Sequence, residues 1–242
     1  MRSVLCLNGT LPGAIQFQQI AHLPMFAADG AAHRLLTMGQ VPSWIVGDGD
    51  SLGEDPLPSS CHVDVDSDQE TCDFEKCLRI IEEESMFPAL VFGIGGGELD
   101  HQHHNLEVFM RESLRHPMMF VDWQEGFPTV LGLAVRESLT MQVQKGSHVS
   151  LLPFPKATVR TEGLQWSLHD EVLEMFKRSG ARNHSSENIV RVHVREGLLL
   201  VTAQLDAVAS LQLGHLVIDP EILMRLKNSG ESHPKTAHPH RA

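Results

Sequence analysis

The sequence predicts an α/β N-terminal domain, a mainly parallel sheet with flanking helices, followed by a smaller β-rich domain. Two observations carry that prediction. Short apolar runs alternate with helical patterns up to about residue 136, the rhythm of strands and helices packed in layers. Beyond that point the chain turns to strand-like segments separated by Gly and Pro.

Taken in order, strands are expected at Val4 to Leu7, Met25 to Ala28, Ser43 to Val46, His62 to Val65, Ala89 to Phe92 and Met118 to Val121. Phe74, Cys77, Leu78 and Ile81 fall at i, i+3, i+4 and i+7, one apolar face of a helix. Leu106, Phe109, Met110 and Leu114 repeat the pattern. In the second part LTMQVQ, HVSLLPF, ATVRTEG, IVRVHV and LLLVTAQL read as strands, with His193 between Val192 and Val194 in half-buried alternation. Asp170 to Lys177 is the one stretch there that reads as helix. Asn228 to Ala242 carries His and Pro and no apolar side chain larger than Ala, the composition of a disordered tail. The expected units are therefore 1–136, 137–227 and 228–242.

Composition narrows the function. With 42% hydrophobic residues the 242-residue chain can bury a sizeable core. Nineteen Lys+Arg against thirty-one Asp+Glu give a formal charge of -12, which argues against a sequence-independent nucleic-acid binder. No apolar run approaches the roughly 18 residues of a membrane span. The opening MRSVLCLNGTLPG has too short an apolar stretch for a signal peptide and reads as a first strand. Cys6, Cys61, Cys72 and Cys77 form no CxxC pair, so reduced thiols in the cytoplasm are expected.

Four acidic motifs stand where the strands should end: Ala28-Asp29-Gly30, Gly47-Asp48-Gly49-Asp50, Asp68-Gln69-Glu70-Thr71-Cys72-Asp73, and Gly95-Gly96-Gly97-Glu98-Leu99-Asp100-His101. Open α/β sheets bind ligands at that edge. Carboxylates in such number suit Mg²⁺, a hard cation that bridges to phosphates. Gly47 and Gly49 allow close approach of a triphosphate, and Gly95 to Gly97 precede a helix N-terminus that can meet an anion. Each motif alone also reads as a solvated turn; one at every junction is the stronger signal.

Other conspicuous residues have plainer readings. His103 and His104 would point about 100° apart on a helix, which argues against a shared metal with His101. Trp44 and Trp123 read as packing aromatics. Lys76 reads equally as a phosphate ligand or a solvated residue, and Glu82-Glu83-Glu84 as an exposed helix end.

The series ADGxAxRL, GDxDS, DQxTxDFxKCL, GGxxDHxxxN and GLxWxL, the last at Gly163 to Leu168, resembles thiamine pyrophosphokinase from the first strand to near residue 202. The resemblance implies an N-terminal α/β domain, a C-terminal β-sandwich and a homodimer. It implies pyrophosphate transfer from ATP to the hydroxyl of thiamine. Asp48, Asp50 and Asp73 would hold Mg²⁺ and carry the chemistry, with Asp73 the candidate base for the hydroxyl proton. Asp29, Arg34, Asp100 and His101 would serve ATP. Gln69, Trp166 and Asn183 would serve thiamine, Trp166 across the dimer interface. The chain departs from the family pattern at His33 (Asn), Cys72 (Thr), Glu98 (Arg) and Arg182 (Ser). Glu98 and Arg182 motivate an alternative acceptor such as a hydroxymethylpterin, and a catalytically inactive ligand-binding member of the fold is the other alternative.

Overall fold

The computed structural model describes residues 1–49, 56–123 and 127–227. The chain opens with β1 (Ser3–Cys6), α1 (Ala14–Gln19), β2 (Met25–Ala28), α2 (Asp29–Thr37), β3 (Trp44–Gly47) and β4 (His62–Val65). It continues through α3 (Asp73–Glu83), β5 (Ala89–Phe92), α4 (Leu99–Glu112) and β6 (Met118–Asp122). These strands lie in the order β4-β3-β2-β1-β5-β6, every neighbouring pair parallel. SVLC, MFAA and ALVF are buried at every position, as strands covered on both faces must be.

One face packs on α3 and α4, where Phe74, Cys77, Ile81 and Phe109 join Leu5, Phe26 and Val91. The other face meets Phe17 and Ile20 around α1 and Ala31 and Leu35 of α2, against Val4, Cys6 and Phe92. The expected apolar stripe on α3 is thus the packed one. On α4 the stripe stops early: the helix ends at Glu112, and Leu114 is exposed.

Beyond β6 the sheet changes sense. β7 (Val130–Val135) pairs antiparallel with β6, Phe120 opposite Gly132. A connection from Asp122 to Val130 is too short for the crossover that a parallel pairing needs. The strands expected in the first part are parallel to one another, but they run on without a break into the β-rich part, so the described residues form one mixed sheet of 14 strands rather than a mainly parallel sheet of its own. The remaining strands are β8 (Ser138–Val143), β9 (His148–Glu162), β10 (His169–Glu174), β11 (Gly180–His184), β12 (Ile189–Gln204), β13 (Val208–Leu213) and β14 (Leu216–Ile218), with α5 (Pro220–Lys227) after them.

β12 shows how one strand serves two settings. Val190, Val192 and Val194 are buried while Arg191, His193 and Arg195 are exposed, the alternation of a one-sided sheet. From Leu199 to Val201 three successive residues are buried, where the strand lies between β7 and β9.

Asp170 to Lys177 is not helical: it is β10 followed by a turn, with Val172 opposite Thr158 of β9. As a helix the segment would have no core to face, since Val172 and Phe176 are exposed and only Leu173 is buried. Asp170 is held instead by Arg160 and Arg195. α1, α2, α5, β7, β11, β13 and β14 were not expected from the periodicity. The predicted tail lies outside the described residues.

Candidate active site

The carboxyl ends of β1, β2 and β3 and the N-termini of α3 and α4 surround a cavity of about 520 Å³. Asp29, Asp48, Asp73, Asp100 and His101 line it. Asp29 and Asp100, 71 positions apart in sequence, thus meet at one sheet edge, as the topology requires.

Asp29 is the hub. It is buried at 2% exposure, and its Oδ1 accepts the Gly30 N–H at 2.6 Å while Oδ2 accepts the Gly49 N–H at 3.1 Å. These bonds tie the first turn of α2 to the loop after β3. A side chain at Gly47 would collide with the Asp29 carboxylate. Gly47 is therefore required by the packing of Asp29 itself, and Gly49 by its positive φ of 85°.

Asp48, the next residue, accepts a hydrogen bond from Gln69 Nε2 at 3.3 Å. Asp73 opens α3. Burial, the neighbouring Asp29 and, less strongly, Asp48 push its carboxyl up to about 6, against the lowering pull of Lys76. Lys76 is neither solvated nor aimed at open cavity: it is 3% exposed, donates to the Asp66 carbonyl at 2.8 Å and lies 3.7 Å from Asp73 Oδ1.

The donor set fits a hard divalent cation. Oxygen ligands converge, and mutual repulsion of Asp29, Asp48 and Asp73 leaves a field that favours positive charge. Asp48 and Asp73 would hold the metal. Asp50 lies outside the described residues.

The glycine triplet is mostly structural. A side chain at Gly95 would meet Asp122, and one at Gly96 would meet Thr10, whereas Gly97 borders open space at φ 84°. Gly96, Gly97 and Glu98 line a second hollow of about 270 Å³ that shares Asn8, His101 and Asn105 with the main cavity. Asn105 closes the GGxxDHxxxN motif but was given no role of its own, and Asn8 was not read as a site residue. Asn8 stands two residues after the end of β1, so the junction logic that found Asp29 and Asp48 extends to it.

The other expected site residues lie elsewhere. Arg34 donates to the Gly9 carbonyl and lines a separate hollow with Thr10 and His33. Asn183 is buried and clamps the backbone of Trp166, accepting its N–H at 3.2 Å and donating to its carbonyl at 2.9 Å. That clamp leaves the Trp166 side chain 57% exposed beside His184, with ring centroids 5.8 Å apart. Trp166 is therefore not a core aromatic, and neither it nor Asn183 lines the cavity within one chain. Trp44 stacks on His62 and Trp123 packs edge-on to Phe92, both in packing roles.

The family model described as thiamin pyrophosphokinase, catalytic domain, matches residues 21–121, and that of the vitamin B1 binding domain matches residues 136–199. Thiamine pyrophosphokinase 2 of Arabidopsis thaliana is 28% identical over 172 residues, covering 65% of this chain and 64% of its own length. The match thus spans less than two thirds of that relative. Thiamine pyrophosphokinase 1 of Oryza sativa is 27% identical over 222 residues, 78% of this chain and 82% of the relative. The crystal structure of thiamine pyrophosphokinase from Bacillus subtilis superposes with a TM-score of 0.70 at 16% identity, covering 84% of this chain and 98% of that one. At that identity the superposition establishes the fold.

Proposed function

We propose, for a chain that belongs to the thiamine pyrophosphokinase family, transfer of pyrophosphate from Mg·ATP to the hydroxyl of thiamine, giving thiamine diphosphate and AMP. The observation that carries this reading is the convergence of Asp29, Asp48 and Asp73 on one cavity at the carboxyl edge of the parallel strands. When bound, Mg²⁺ supplies charge neutralisation at the phosphates. Asp29 fixes the loop that presents Asp48, through its bond to Gly49. Asp100 and His101, at the start of α4, line the same cavity and are the proposed ATP contacts there.

Asp73 is the proposed acceptor of the hydroxyl proton: it stands on the cavity at the first turn of α3, and in the metal-free protein burial and Asp29 raise its carboxyl to about 6. Catalysis of this kind rests on positioning and charge compensation. Gln69, bonded to Asp48, stands on the proposed thiamine side. Trp166 and Asn183 lie away from the cavity of their own chain, which supports a homodimer in which the partner's pocket receives the exposed indole. Location in the cytoplasm belongs to the same proposed reading; no helix among the described residues is long and apolar enough to cross a membrane.

The test is incubation of the protein with Mg·ATP and either thiamine or a hydroxymethylpterin, following AMP and the pyrophosphorylated alcohol. Thiamine diphosphate is expected. Turnover of the pterin alone would sink the thiamine assignment, and turnover of neither would sink the enzymatic one. Asp48→Asn and Asp50→Asn should each lower turnover on the order of a hundredfold or more, the loss of one charged ligand to metal and phosphate. Wild-type rates in both would remove the metal assignment.

A further inference from the structure

The cavity wall carries a second constellation that the reaction above does not use. Cys72 caps α3, and Glu75, three residues on, accepts the Cys72 N–H at 3.0 Å. On α4, His104, Val108 and Arg111 recur at i, i+4 and i+7 and so share a face. Val108 is buried and Arg111 pairs with Glu75, so that face is turned toward α3. The result is a thiol, a carboxylate and an imidazole whose ligand atoms all lie within 4.8 Å of one another.

We propose that Cys72, Glu75 and His104 form a zinc site in the wall of the cavity, with the fourth coordination position open to the cavity.

The chemistry is that of zinc rather than magnesium. Sulfur, nitrogen and one carboxylate oxygen, with one position left to solvent, make a three-ligand open zinc set. With bonds of about 2.0–2.3 Å, tetrahedral ligands stand roughly 3.5 Å apart, within a small side-chain adjustment of the observed spacing. Mg²⁺ prefers the all-oxygen group at Asp48 and Asp73, so softness of the donors separates the two metals. On binding, the Cys72 S–H bond breaks, the proton passes to solvent and the sulfur–zinc bond forms; thiolate and carboxylate together balance the two positive charges. Arg111 bonds Glu75 Oε1 and the Cys72 N–H bonds Oε2, leaving each oxygen a further lone pair, the orienting role that outer partners play at metal sites. Cys72 and His104 both line the cavity, which directs the open position inward. His103 is turned to Glu107, 3.3 Å away, and takes no part. The site stands on these side chains whether or not thiamine is the substrate.

Co²⁺ provides the test, because a thiolate gives it a near-ultraviolet charge-transfer band that imidazoles, including those beyond residue 227, do not. The full chain, freed of metal with a chelator, is titrated with Co²⁺ and then with Zn²⁺ in excess Mg²⁺. The expected result is a sulfur-to-cobalt band saturating at one equivalent, indifferent to Mg²⁺ and erased by Zn²⁺. Cys72→Ser should abolish the band. His104→Ala, at an exposed position that leaves the fold intact, should weaken binding about tenfold or more. No band at stoichiometric Co²⁺, a band that survives Cys72→Ser, or unchanged affinity in His104→Ala would each overturn the site.

Discussion

Asp73 is the residue where stability and function pull apart. Its carboxyl is raised from the ordinary 3.8 to about 6 by burial and by Asp29. An acid raised by folding contributes stability that is complete below its unfolded value and is lost as pH climbs through the folded one. Without divalent metal, the Tm of the wild type relative to Asp73→Asn should therefore fall between about pH 4 and pH 6 and then level. At neutral pH Asp73→Asn should be the more stable protein and the inactive one. A difference in Tm that does not vary with pH over that range would remove the repulsion argument. Gly47 makes the complementary case. Gly47→Ala forces a methyl against the Asp29 carboxylate, with an expected cost of about 1–3 kcal/mol by overpacking and lost turnover through the displaced Asp48. Denaturant unfolding checks it, and a neutral result would mean that Asp29 has room to move.

At the scale of elements, α3 shows what a helix contributes to this site. Its stripe of Phe74, Cys77 and Ile81 fixes it on the sheet, and that fixes Asp73 at its first turn and Lys76 one turn later. Lys76→Met leaves the Asp66 carbonyl without its donor and Asp73 without its nearest cation. Stability should drop about 1–3 kcal/mol, and the acid limb of kcat/KM should move to higher pH, because the cation that lowered the Asp73 carboxyl is gone. A limb unmoved in a folded variant would take Asp73 out of the proton transfer. The burial of α3 was legible because its periodicity is long and unbroken. Lys76 was not, since spacing does not tell a buried lysine from a solvated one; its carbonyl partner comes from the loop after β4. The segment Asp170 to Lys177 misled for a similar reason: DEVLE carries local helix formers, but pairing with β9 decides its state. α2 escaped notice because its sequence, DGAAHRLLT, reads first as a loop motif. The carboxylates themselves were legible, one at each strand end, yet the reason for Gly47 and the bonds that lock Asp29 are contacts between junctions and exist only after folding.

The whole molecule raises the question that a single chain leaves open in chemical terms: how an indole presented by the β-rich part meets a cavity formed by the parallel strands. Trp166 is 57% exposed, and the buried Asn183 pins its backbone rather than its ring. An ordered loop that holds a large aromatic outward suits a partner surface, and two-fold pairing is the commonest closed assembly. If Trp166 completes the partner's pocket, Trp166→Ala should leave Tm nearly unchanged and raise the thiamine KM about threefold to thirtyfold, the range of a stacking or cation–π contact. Mixing then gives a sharper test. Asp73→Asn chains keep Trp166 and lack the carboxylate; Trp166→Ala chains have the reverse defect. After dissociation and reassociation in equal amounts, half of the dimers are mixed, and each mixed dimer holds one site with both residues intact. At thiamine below its KM the mixture should recover about one quarter of wild-type activity, by random two-fold pairing. A mixture that never exceeds the sum of its two components would place Trp166 outside the partner's site, and light scattering that finds an active monomer would remove the dimer altogether.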